Sequence, residues 1–283
     1  MPDVIEFLVA PLRYAFMVRG MIAAVIVGVV CAVMGTYIVL RGMAFLGDAV
    51  AHAILPGIAV GYLVSGGFRQ TVLWWAMGTG ILTAIGIGAI GRRSQVKEDT
   101  AIGIIFSGMF ALGIAIISTM QSYAVDLMHY LFGNILGVSQ SDLVLTAGLG
   151  LVVLAMVFLL YKEFLVLSFD PVLAVTLRLP RGLLHYLQLV LIAVTIVTAL
   201  QTVGVALMVA MLTTPAATAY LLVKRVSSMM AVAALIGAVS GIAGLYVSYY
   251  VGVASGAAIV LVATSIFLGV LALSRRRAQI LGR

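Results

Sequence analysis

Asp48 and His52 are the pair whose types and spacing could do chemistry. They lie four residues apart in Arg41-Gly42-Met43-Ala44-Phe45-Leu46-Gly47-Asp48-Ala49-Val50-Ala51-His52-Ala53-Ile54-Leu55-Pro56-Gly57, a run otherwise apolar enough to enter a membrane. On a helix starting near Ala44 they share one face, where a carboxylate oxygen and an imidazole nitrogen can meet one ion or each other. Pro56 and Gly57 then loosen that helix. A carboxylate near the bilayer centre costs about 2.5–3.5 kcal/mol on insertion scales, so its presence there points to a polar pathway. The alternative is structural: Asp48 caps the helix and His52 donates to a nearby carbonyl.

The rest of the chain must position this pair inside a membrane. Of its 283 residues, 64% are hydrophobic and 9% charged, too little polar surface to cover a soluble globule. The class expected is an all-α polytopic membrane protein. The formal net charge of +7 comes from short basic clusters between apolar runs, which is the positive-inside pattern and not a nucleic-acid face. The single cysteine, Cys31, lies in an apolar run and excludes an intrachain disulfide framework or a thiolate cluster built by this chain alone. Asp3 and Glu6 interrupt any positive n-region, so no cleavable signal peptide is expected.

Residues 1–19 mix apolar and charged positions and read as an amphipathic segment lying at the interface. The apolar membrane body follows over residues 20–274, and 275–283 form a basic cytoplasmic tail. Within the body, Met21 to Leu40, about Ala44 to Ser65, about Thr71 to Ile90, about Thr100 to Met120 and Leu143 to Tyr161 each match one crossing of a core roughly 30 Å thick. Gln121 to Asp142, with Asp126 and His129, is too apolar for a solvated loop and reads as a broken or re-entrant segment. Leu183 to Val223 and Val226 to Ser274 are each about two crossings long, turning near Gln201 to Gly204 and Val253 to Gly256. Pairs of spans separate the basic clusters beyond Arg41, and one span precedes it. That gives nine crossings with the N-terminus outside, within a range of eight to ten.

Two further features stand out. Between about 163 and 181, Ser168-Phe169-Asp170-Pro171 leads into a short cytoplasmic helix that Ser168 or Asp170 can cap, that Pro171 suits at its first turn, and that Pro180 ends. Thr214 and Pro215 sit inside the span before Lys224, where the proline frees the carbonyl of Met211 to line a path, or where threonine and alanine simply pack. Neither a G-x-x-x-x-G-K-[ST] loop nor H-E-x-x-H occurs, so ATP binding through a P-loop and zinc-protease chemistry are excluded for this chain. A transport subunit is expected, not an enzyme.

In this order, Val39-Leu40-Arg41-Gly42-Met43, Gly47-Asp48-Ala49, His52 to Gly57, Glu98 to Gly103, Leu131-Phe132-Gly133-Asn134, Ser168 to Pro171, Thr214 to Ala219 and Ser255-Gly256-Ala257 resemble the permease subunits of bacterial ABC importers for zinc, manganese and sometimes iron. The resemblance implies a type II importer permease in the bacterial cytoplasmic (inner) membrane. It implies three partners: cytoplasmic ATPase subunits, an extracytoplasmic metal-binding protein and a second permease copy, identical or related. No cofactor would be permanently bound; the metal is cargo. Carried over by position, Asp48 and His52 match translocation-path or gate residues, and Asp126, His129, Thr214 and Pro215 stand as possible path lining. Phe169, Asp170, Pro171, Arg178 and Pro180 match the segment that couples to the ATPase, with Arg178 departing from the glycine frequent there. The competing reading is an ATP-independent secondary carrier or channel using Asp48 as a relay.

Overall fold

The computed structural model describes residue 6 and residues 9–93, 97–120, 134–169 and 171–280. A 3-10 turn, Pro11–Arg13, precedes α1 (Ala15–Leu40), which is followed by α2 (Leu46–Ala53), α3 (Leu55–Ser65), α4 (Arg69–Arg93) and α5 (Glu98–Ser118). A second 3-10 turn, Ile135–Gly137, leads to α6 (Gln140–Leu159), α7 (Tyr161–Phe169), α8 (Pro171–Thr176), α9 (Arg181–Val203), α10 (Val205–Leu222), α11 (Val226–Val251) and α12 (Ser255–Ile280). Among the described residues nine helical stretches are long and apolar enough to cross a bilayer, with α2 and α3 together making one. The chain is a multi-pass, all-α membrane protein.

The helix bounds refine several expectations. Helix α1 opens at Ala15, so residues 15–19 continue the first span, where only Arg19 interrupts an apolar sequence and an arginine stem can run along a helix. The turns near Gly204 and Gly252 are where expected, and both glycines hold positive φ, 83° and 73°. Residues 121–133 lie outside the described residues, and with them Asp126, His129 and the re-entrant reading. Beyond them, Ser139 and Asp142 form a capping box on α6: the Ser139 hydroxyl accepts from the Asp142 N–H at 3.1 Å, and the Asp142 carboxylate accepts from the Ser139 N–H at 3.3 Å.

The structure divides into two compact units. The first comprises residues 1–39, 132–150 and 202–283, hence most of α1, the start of α6, and α10 to α12. Its helices are apolar on all sides, so backbone approach and not an amphipathic stripe decides how they pack. At Gly28 an added Cβ would lie 2.9 Å from the Gly237 carbonyl group, so α1 and α11 cross with their backbones touching. At Gly35 it would collide with the Leu212 carbonyl on α10.

The second unit comprises residues 40–131 and 151–201. Here α3 packs along α4, and α2 and α3 both pack against α5. Pro56, at the second position of α3, has no N–H for the His52 carbonyl, and the helix steps at Ile54, whose own N–H is shared between the carbonyls of Val50 and His52. The break expected from Pro56 and Gly57 therefore falls two residues past His52. Asp48 and His52 occupy the single short helix, α2, before it.

Candidate ion-path site

Asp48 lies in the first turn of α2, where the unpaired N–H groups of a helix start favour a negative charge, and His52 lies in its last turn. The His52 Nε2 stands 3.5 Å from the Asp48 Oδ1, with the side chains 30% and 38% exposed. That separation is long for a hydrogen bond. It is shorter than twice the metal–ligand distance of about 2.0–2.2 Å, so one ion can touch both atoms. The structural alternative finds no support in this geometry. The residue at the N-cap of α2 is Phe45, with no side-chain cap bond, and the His52 Nδ1 is buried without a hydrogen-bond partner instead of donating to a carbonyl.

Helix α5 supplies the wall beside the pair. Phe110 meets the His52 ring edge-on at 5.8 Å, Phe106 lies 6.3 Å from it, and the two phenylalanines stack at 5.7 Å. Phe45 meets Phe106 edge-on at 5.8 Å. Such contacts restrict the imidazole to one orientation and leave its polar edge toward Asp48. Nothing in the spacing of Phe106 and Phe110 from His52 marks them in the sequence; only the packing of α5 on α2 brings them there. Among the described residues no group of three or more His, Cys, Asp or Glu side chains could hold a metal.

The other expected residues fall elsewhere. Thr214 and Pro215 belong to the first unit; Pro215 is buried within α10, and Ala216 and the Leu212 carbonyl beside it face Gly35 of α1. The Thr218 hydroxyl donates to the Thr214 carbonyl at 2.7 Å. Around 163–181 the short helix is α8, one and a half turns long and opening at Pro171 as expected, while Asp170 lies outside the described residues. Ser168 does not cap it: its hydroxyl donates to the Phe164 carbonyl at 2.8 Å, because α7 runs on to Phe169. Helix α8 ends at Thr176, before Pro180, and the chain turns at Arg178, whose φ of 55° is the left-handed backbone that follows a helix C-terminus; the Leu179 N–H returns to the Ala174 carbonyl at 3.0 Å. Phe169, Leu173 and Leu177 are exposed apolar side chains along this segment.

A second polar cluster in the same unit was not anticipated. The Arg41 guanidinium donates to the Gln188 Oε1 at 3.1 Å and lies 3.0 Å from the His185 Nδ1 and 3.8 Å from the Glu98 carboxylate. Burial lowers the Arg41 pKa from its ordinary value; Glu98 opposes that shift and Arg181 adds to it. Separations of 144 and 147 residues from Arg41 to His185 and Gln188 leave no spacing by which sequence could join them.

Comparison with known proteins agrees with this architecture. The model of the ABC 3 transport family matches residues 13–274. The manganese transport system membrane protein MntC of Halalkalibacterium halodurans is 48% identical over 90% of this chain and 86% of its own length. A Haemophilus influenzae protein described as an iron transport system membrane protein is 39% identical over 97% of this chain and 99% of its own. Among solved structures, PsaBC from Streptococcus pneumoniae in complex with Fab matches with a TM-score of 0.80 and 41% identity, covering 94% of this chain and 95% of that one.

Proposed function

The chain belongs to the ABC 3 transport family and is the membrane-spanning permease subunit of an ATP-driven importer of divalent metal ions; from this we propose that its cargo is manganese and that Asp48 and His52 hold the ion in transit. Family membership implies ATPase and substrate-binding partners, so hydrolysis belongs to another chain and the permease is not itself an enzyme. It also sets aside the self-sufficient carrier or channel. A multi-pass chain of this kind belongs in the bacterial cytoplasmic membrane.

The observation that carries the site assignment is the Asp48–His52 pair itself, 3.5 Å apart and partly exposed within a span. A carboxylate oxygen and an imidazole nitrogen suit manganese, zinc or ferrous iron. Two donors leave most of a divalent ion's shell to water or to a second copy of the permease presenting the same pair. A site so incomplete within one chain releases its ion readily, which passage requires. Manganese is favoured among the three because the curated relative of highest identity quoted above is described as a manganese system.

Phe169, Leu173 and Leu177 form the exposed apolar face by which the segment ending at Pro180 seats on an ATPase subunit, with the turn at Arg178 shaping it. The test of the function is uptake of labelled manganese by cells expressing permease, ATPase and metal-binding protein, with zinc or ferrous iron as competitor. We expect uptake that ceases when the ATPase cannot hydrolyse ATP and that excess unlabelled manganese suppresses more strongly than zinc or iron. Uptake that persists without hydrolysis contradicts the importer assignment, and stronger suppression by zinc or iron contradicts the choice of metal.

A further inference from the structure

We propose that Arg41 is a positioning residue of the transport cycle, tying the helix that carries Asp48 and His52 to the cytoplasmic segment where the ATPase acts. The inference rests on the reading of Asp48 and His52 as the ion path. It comes from where the partners of Arg41 lie. Arg41 directly follows α1, and within a few residues the Leu46 N–H bonds the Met43 carbonyl at 2.9 Å and α2 begins, with Asp48 in its first turn. Its two close partners, His185 and Gln188, occupy the first two turns of α9. Helix α9 opens at Arg181, immediately after the stretch that closes α8.

That stretch is bonded through without a gap. The Leu179 N–H bonds the Ala174 carbonyl at 3.0 Å, the Arg181 N–H bonds the Leu179 carbonyl at 2.7 Å, and the Leu184 N–H bonds the Pro180 carbonyl at 3.0 Å. A displacement of α8 therefore reaches the start of α9 through short backbone bonds instead of a slack loop. The third partner, Glu98, opens α5, the helix whose Phe106 and Phe110 flank His52. Glu98 lies 3.9 Å from the His185 Nε2 as well as 3.8 Å from Arg41, so the cluster joins the end of α1 to the starts of α5 and α9. The stretch that leads into the helix with Asp48 and His52 and the start of the helix with their aromatic wall thus meet α9 at one cluster centred on the Arg41 guanidinium.

The side chains are suited to such a joint. Gln188 is fully buried, His185 is 6% exposed and the Arg41 side chain 12%, so water competes little for these bonds. Arginine offers several donors in a rigid fork, and lysine cannot reach glutamine and histidine at once in the same way. Gln188 keeps one buried amide nitrogen without a hydrogen-bond partner, so the cluster tolerates an unsatisfied donor to keep the oxygen on Arg41.

The experiment uses the complete transporter in proteoliposomes, with manganese uptake and ATP hydrolysis measured in the same vesicles. For Arg41→Ala we expect hydrolysis within about twofold of wild type while manganese delivered per ATP falls roughly tenfold, in the range of coupling effects of residues that touch neither ligand. Arg41→Lys should recover part of that ratio, and Gln188→Leu, which keeps the volume and removes the acceptor, should lower it in the same direction. Where Arg41→Ala does not assemble, Gln188→Leu and Arg41→Lys decide. Uptake and hydrolysis falling together in proportion, or an unchanged ratio, overturns the proposal. Asp48→Asn in the same vesicles separates the two readings: if it transports normally the ion-path assignment fails, and if it is inactive while the Arg41 and Gln188 variants keep a wild-type ratio, only the positioning role fails.

Discussion

Arg178 is the one non-glycine residue with positive φ among those described, and it sits where α8 must stop. A Cβ in the left-handed region costs about 1–2 kcal/mol, which glycine avoids. The departure noticed in the sequence, a basic residue where glycine is frequent, therefore has a definite consequence: the backbone keeps the shape that glycine favours and the side chain bears the strain. Arg178→Gly is expected to leave ATPase retention unchanged and to raise the thermal midpoint of the purified transporter by about 2 °C. A lowered midpoint would show that the Arg178 side chain contributes more than its backbone costs. Asp48 and His52 could be found from type and spacing because both lie on one short helix. The Arg41 cluster could not, because its members come from the end of α1 and the starts of α5 and α9, far apart in the chain, and none alone stands out from the polar residues that flank any span.

Helix lengths were readable because the bilayer sets them: a run of about twenty apolar residues allows little else. Helix ends were less readable. Ser168 has the chemistry of a cap, yet α7 continues past it and its hydroxyl turns back to Phe164. Pro180 looked like the stop for α8, but the left-handed turn at Arg178 comes first. The aromatic wall of Phe106 and Phe110 was hidden for another reason, since α5 is apolar on every side and no stripe singles out the face it turns to His52. The segment proposed to seat on the ATPase can be tested directly. Phe169→Ala combined with Leu177→Ala removes two exposed apolar side chains and should reduce the ATPase recovered with the affinity-purified permease several-fold, a loss of about 1 kcal/mol. Undiminished recovery would move the docking surface elsewhere.

The nine spans among the described residues and the family membership define an importer permease, while the proposed ion site rests on two side chains in one broken span. An importer must hold its ion long enough to carry it and weakly enough to let it go, and the site proposed at Asp48 and His52, completed by water or a second copy, meets both demands. The central claim is that Asp48 and His52 touch the ion. Its most direct test is labelled manganese uptake by the complete transporter, comparing wild type with Asp48→Asn and His52→Ala at matched membrane levels. Asp48→Asn keeps the side chain's size and removes its charge, and His52→Ala removes the imidazole donor together with its contacts to Phe106 and Phe110, so uptake is expected to fall at least about tenfold in either, the loss associated with disturbing a metal site. Wild-type uptake by both variants would make the pair structural and contradict the account.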